Sequence, residues 1–177
     1  MQQKSLAHLT VAVLAVLTSL TWPAGVLAQD RGPVAGDTAP DFAGKALNGD
    51  RVLVSAFAGK VVVLSYWASW CGPCKKELPL LEGIQEVAGK DRIQVVAVNI
   101  EAYPTYKKLA QHLSSLQMTI AHDTYGEGSK AYGVNGIPHM VIIGRDGKII
   151  RVNRGYSEES VDRVIEDVNR ALATAGK

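Results

Sequence analysis

Cys71 and Cys74 are the only cysteines in the 177-residue chain, two residues apart in Trp70-Cys71-Gly72-Pro73-Cys74. A bond between them closes a very small loop and adds little stability through loop entropy, so a stapling role explains them poorly. The chemistry that suits them is thiol–disulfide exchange, in which one thiolate attacks a disulfide and a neighbouring thiol resolves the mixed disulfide. The same spacing is half of a tetrahedral zinc site, but zinc needs further Cys or His ligands and there is no second cysteine pair.

The elements around the pair decide how it is used. The continuous apolar run Val61-Val62-Val63-Leu64 into Tyr66-Trp67 reads as a strand buried on both faces, and it ends directly at the cysteines. A helix is expected next, with Leu78, Leu81 and Ala88 giving it an apolar face, Gln85 at the same spacing, and Pro79 kinking it. Cys71 then lies at a helix N-terminus, where unpaired N–H groups and the macrodipole favour an anion and lower the thiol pKa. This placement arms Cys71 to attack and leaves Cys74, one turn further in, to resolve. Gly72 and Pro73 suit the tight turn that starts the helix.

The remaining chain supplies the sheet and its cover. Asn48-Gly49 between Phe42 and Val52-Leu53-Val54 predicts an N-terminal β-hairpin turning on the Asn-Gly pair. Residues 93–100 predict a second apolar strand, 105–116 a helix striped by Leu109, Leu113 and Leu116, and 118–121 a short strand. Strands at 140–143 and 149–153 flank a hairpin turn at Asp146-Gly147. Ser157 should cap the last helix, with Glu158 and Glu159 in its first turn and Val161, Val164, Ile165, Val168 and Leu172 as its apolar stripe. The order is β-β-β-α-β-α-β-(short α)-β-β-α.

The ends and the charge bound the class. Ser5 to Gln29 carries no charged residue, follows Lys4, and contains an apolar run from Leu9 to Leu20 before Pro23. Residues 1–28 therefore read as an export signal with a cleavage site at Val26-Leu27-Ala28; the alternative is an uncleaved membrane anchor, since the run is about long enough to span a bilayer. Either places the domain outside the cytoplasm, and a periplasmic location is expected. Residues 29–38 read as a linker, and 39–177 as a single domain. A net charge of +2 with dispersed Lys and Arg gives no footprint for nucleic acid.

The chain resembles the thioredoxin superfamily, in its exported TlpA/ResA-like branch. The resemblance is carried by Gly36-Asp37-Thr38-Ala39-Pro40-Asp41-Phe42, by the run from Gly59 to Pro79 around the cysteines, by Ala131-Tyr132-Gly133-Val134, by Gly136-Ile137-Pro138 and by Asp146-Gly147-Lys148-Ile149. It implies an α/β thioredoxin-like fold: a central mixed sheet flanked by helices, with the N-terminal hairpin as an extension. It also implies that Pro138 is cis and faces the cysteines, turning the Ile137 backbone toward a bound substrate strand. The activity implied is a dithiol reductant of protein disulfides, for example in cytochrome c or copper-site assembly. Re-reduction would come from a membrane protein carrying electrons, and a monomer without a cofactor is expected.

Supporting residues follow. Glu77 lies three residues after Cys74, so the two side chains share a helix face; it is expected to tune the thiols and help move the Cys74 proton, or simply to be an acid well placed near a helix N-terminus. Ser65 stands where thioredoxin itself carries a buried acid, six residues before the first cysteine, which shifts proton handling toward Glu77. Trp70 is the expected substrate contact, whereas Trp67 is as readily a core residue. His139 departs from the family, where Thr commonly follows the cis-Pro. It could modulate Cys71, complete a Cys71, Cys74 and His139 copper site in a Cu(I)-binding chaperone, or have no role at a strand end.

Overall fold

The computed structural model describes residues 32–174, so the signal or anchor reading of residues 1–28 lies outside the described residues. A single seven-stranded mixed sheet organises the chain. Its strands are β1 (Phe42–Lys45), β2 (Arg51–Leu53), β3 (Val61–Trp67), β4 (Ile93–Asn99), β5 (Thr119–His122), β6 (His139–Ile143) and β7 (Ile149–Arg154), in spatial order β2-β1-β5-β4-β3-β6-β7. β3 and β4 run parallel at the centre, with Val61 opposite Ile93 and Trp67 opposite Asn99. Every residue of both is buried, including Ser65, Gln94 and Asn99, as expected of mostly apolar strands covered on two faces. β6 pairs antiparallel with β3, Tyr66 opposite His139.

Among the described residues four α-helices cover this sheet: α1 (Gly72–Ala88), α2 (Tyr103–His112), α3 (Glu127–Ala131) and α4 (Glu158–Ala173). Leu78 and Leu81 of α1 and Val164, Val168 and Ala171 of α4 pack with Val61, Val63, Val95 and Ile142 on one face. On the other face Tyr66, Leu64, Val98 and Val141 pack with Tyr132, just past α3, and with Val52 and Val54 of the N-terminal extension. Strand alternation assigns neighbours to opposite cores, so Tyr66 and Trp67 face different ways.

Several local details differ from the sequence expectations. The hairpin β1–β2 turns through Ala46–Asp50, closed by Gly49 N–H to Ala46 O at 2.9 Å, and only Gly49 of the Asn-Gly pair has positive φ. The Asn48 side chain instead bonds Asp50, donating to its carboxylate and accepting from its N–H. α1 is a single helix with Pro79, the expected kink position, inside it. α2 starts two residues before the expected position, because Pro104 fits the first turn, where its missing N–H has no partner to lose. It stops at His112, and Leu113 and Leu116 lie on turns beyond it. On α4 the stripe is rotated: Asp167 is buried, bonded by Arg151 and Arg170, while Ile165 lies at the surface.

Residues 36–38, expected to end a linker, are bonded into the domain. Gly36 N–H donates to Ile149 O, Ile149 N–H to Asp37 O, and Ala39 N–H to Gly147 O.

Candidate active site

β3 ends in the interior at Trp67 and α1 begins five residues later, so the connecting turn Ala68–Cys71 joins the end of a buried strand to the start of a half-exposed helix. Cys71 is the N-cap of α1: its Sγ accepts the Cys74 N–H at 3.2 Å, and its carbonyl accepts the Lys75 N–H. A sulfur in that position receives a donor otherwise left unpaired at a helix start. The two cysteines form a disulfide. They are unequal: Cys71 keeps 5 % exposure and Cys74 none. Gly72 and Pro73 between them are exposed. In this arrangement an external sulfur can reach Cys71 only, the geometry exchange through a mixed disulfide requires.

Trp70 projects beside Cys71 at 69 % exposure, while Trp67 is a core residue. The Ile137–Pro138 bond is cis, as the resemblance implied. One step beyond the Tyr66–His139 pair, the β3–β6 register brings Pro138 to the same sheet end as Trp67 and the cysteine turn. Ile137 is half-buried, and its backbone makes no hydrogen bond among the described residues. A groove of about 460 Å3 adjoins the turn, lined by Trp67, Ser69 and Lys75 together with leucines following α2. A larger one of about 720 Å3, between α1 and α4, includes neither cysteine nor any residue of the turn.

Glu77 is the buried acid of the site. It is almost fully enclosed and accepts a 2.6 Å hydrogen bond from Ser65 Oγ, across from it on β3. Burial pushes its carboxyl up to about 7, against the opposing pull of the Ser65 bond. Ser65 and Glu77 thus meet: the strand position that lacks an acid donates to the acid supplied by the helix. Cys74, three residues earlier on the same turn of α1, is equally enclosed.

His139 is not brought to the sulfurs. It alternates with Met140, which packs in the core containing Cys71 and Cys74, so its ring lies on the opposite face, edge-on to Tyr66 at 6.2 Å. Burial, with Arg154 nearby, lowers its pKa to about 4, so the ring is neutral near pH 7 and supplies no charge to Cys71. The Cys71, Cys74 and His139 copper site is corrected on this geometry: no group of three candidate ligands converges among the described residues.

One acid at the site has no sequence signal. Glu101, after β4, accepts from the N–H and Oγ of Ser69 and from the Asn99 amide. Burial would raise its pKa, but the bonds from Asn99 and Ser69 outweigh it and hold the carboxyl below its ordinary value. A charged residue after a strand has no distinctive pattern, and its partner Ser69 is 32 residues away.

Comparison with known proteins agrees with this geometry. Residues 34–172 match the family described as Redoxin. The chain is 28% identical over 171 residues to the thiol-disulfide oxidoreductase ResA of Geobacillus thermodenitrificans, covering 94% of this chain and 98% of that one. It is 32% identical over 130 residues to ResA of Bacillus subtilis, covering 71% and 70%. A Chlorobium tepidum structure assigned as the thiol:disulfide interchange protein DsbE superposes with a TM-score of 0.71 at 32% identity, covering 81% of this chain and all of that one.

Proposed function

The chain belongs to the redoxin family, in the TlpA/ResA-like branch of the thioredoxin superfamily, and is a thiol–disulfide oxidoreductase; from this we propose that it is an exported reductant of protein disulfides working through Cys71 and Cys74. The observation that carries the proposal is the asymmetry of the pair: a capped, marginally exposed Cys71 beside exposed Trp70, with Cys74 enclosed behind it.

In the reduced protein the N-terminus of α1 favours Cys71 as thiolate. Its sulfur attacks one sulfur of the substrate disulfide; the other leaves as a thiolate and takes a proton. Cys74 passes its thiol proton to Glu77 and attacks Cys71 Sγ, which expels the second substrate sulfur. The substrate gains two electrons and the enzyme is left with its Cys71–Cys74 bond. Glu77 suits this transfer because a carboxyl pushed up to about 7 can both accept and return a proton near neutrality. Trp70 and the free backbone of Ile137 are the proposed contacts for the extended substrate, with Pro138, Gly72 and Pro73 shaping the site.

Gly72-Pro73 between the cysteines supports the reducing direction, and the apolar stretch after Lys4 supports export to the periplasm, as a cleaved or anchored form. A membrane dithiol protein would restore the reduced state. Cytochrome c precursors and copper-site assembly proteins are the proposed substrates. The test is Cys74→Ser in the native compartment: a stalled Cys71 mixed disulfide with a protein is expected, and its absence under conditions that trap other exchangers overturns the reading. A redox potential at the oxidising end for such pairs would reverse the direction.

A further inference from the structure

The turn that delivers Cys71 is gripped from outside by one carboxylate. Ser69 N–H donates to Glu101 Oε2 at 2.6 Å, Ser69 Oγ to Oε1 at 2.8 Å, and Asn99 Nδ2 to Oε2 at 3.0 Å. Glu101 is itself held through both of its backbone polar groups. Its N–H donates to Asn99 Oδ1 at 2.9 Å, and its carbonyl accepts from His122 Nε2 at 2.6 Å. The His122 ring is buried, stacked on Tyr106 at 4.6 Å, and accepts from Thr124 Oγ1 through Nδ1. Among the described residues, Glu101 provides the only side-chain hydrogen bonds to the Ser69–Trp70 segment.

The two functional groups of the turn are held by different means. Cys71 is secured by α1, through its bonds with the N–H groups of Cys74 and Lys75. Among the described residues Trp70 makes no hydrogen bond of its own: its indole is 69 % exposed, and its backbone lies in the turn closed by Cys71 N–H to Ala68 O at 3.1 Å, between Cys71 and Ser69, which Glu101 holds by its side chain. A contact residue on an unheld turn must be ordered when substrate docks, which weakens docking without changing the reactivity of the sulfur.

We propose that Glu101 is a positioning residue that selects for polypeptide disulfides, by fixing Trp70 relative to the Cys71 sulfur through Ser69. The proposal rests on Cys71 being the nucleophile. Glutamine can keep the grip: its oxygen accepts from Ser69 N–H and Asn99, and its amide donates to Ser69 Oγ, which can turn to accept. Alanine cannot.

The test compares wild type, Glu101→Ala and Glu101→Gln in reduction of insulin, a protein disulfide, and of oxidised glutathione, a small one. Glu101→Ala is expected to raise KM for insulin about tenfold, equivalent to roughly 1.4 kcal/mol of docking. Its kcat on insulin and its rate with oxidised glutathione should stay within about twofold of wild type, and Glu101→Gln should stay near wild type on both. Equal loss on both probes, no loss on either, or a Gln variant as impaired as Ala overturns the positioning role. A wild type that exchanges with neither probe overturns the Cys71 reading itself. Should Glu101→Ala fail to fold, Ser69→Ala removes the Oγ bond alone and is expected to raise KM for insulin by a smaller factor; an unchanged KM counts against the proposal.

Discussion

Ser65 and Glu77 form a buried hydroxyl–carboxyl pair next to the cysteines. The strand position six residues before Cys71 carries a hydroxyl, and the acid comes from the helix instead, reaching the same buried place with a 2.6 Å bond between them. The sequence announced the missing acid and the spacing of Glu77 from Cys74. It could not announce the burial, which depends on how closely α1 lies on β3. The burial has a consequence for stability. With its carboxyl raised from 4.5 to about 7, the folded protein holds a proton that the unfolded chain has released between those values. The contribution is fully present below pH 4.5 and is lost as pH rises through 7, a change of about 3 kcal/mol. Denaturant unfolding of the oxidised protein should therefore show wild type losing stability from pH 5 to pH 8, while Glu77→Gln loses less and is the more stable at pH 8. Parallel pH dependences for the two proteins would remove the buried acid from the account. Glu101 was illegible for a related reason: its bond to Ser69 spans 32 residues and exists because β3 and β4 are parallel and end side by side.

Among the elements, those with strong periodicity were legible and those set by packing were not. The two buried central strands and α4 with its Ser157 cap were readable because apolar runs and capping chemistry are local signals. Gln85 stood at an apolar spacing on α1, yet its Oε1 accepts from Val95 N–H at 2.6 Å and ties the helix to β4, a use no pattern marks. His139 was placed near the cysteines because it follows Pro138, which the resemblance sets against them, and the period of two along β6 turned it to the other face. The short helix α3 depends on close approach: a Cβ on Gly128 would lie 2.8 Å from Tyr66 Oη and 2.9 Å from the Ala43 carbonyl oxygen. Gly128→Ala should cost about 1–3 kcal/mol by pushing α3 off β1. Thermal unfolding measures it, and an unchanged midpoint would show that α3 yields freely.

At the scale of the whole molecule, the sheet brings the turn before α1, the segment after β4 and the Ile137–Pro138 bond to one end, and the two cores lie behind it. The N-terminal segment closes the fold at its flank. Gly32 packs so closely on Gly133 that a Cβ on Gly133 would lie 2.3 Å from the Gly32 Cα, and Gly133 also needs its positive φ of 64°. Everything the molecule exchanges must pass through that one end, and through one of its two sulfurs, because Cys74 is sealed behind Cys71. On the proposed reading, the protein that delivers electrons and the protein that receives them need the same small opening, and neither can be seated while the other is. Turnover on that reading alternates between two partners that never meet on the enzyme. Initial rates against a protein disulfide at several concentrations of a dithiol donor should give parallel double-reciprocal lines, and lines that intersect would mean both partners are held at once.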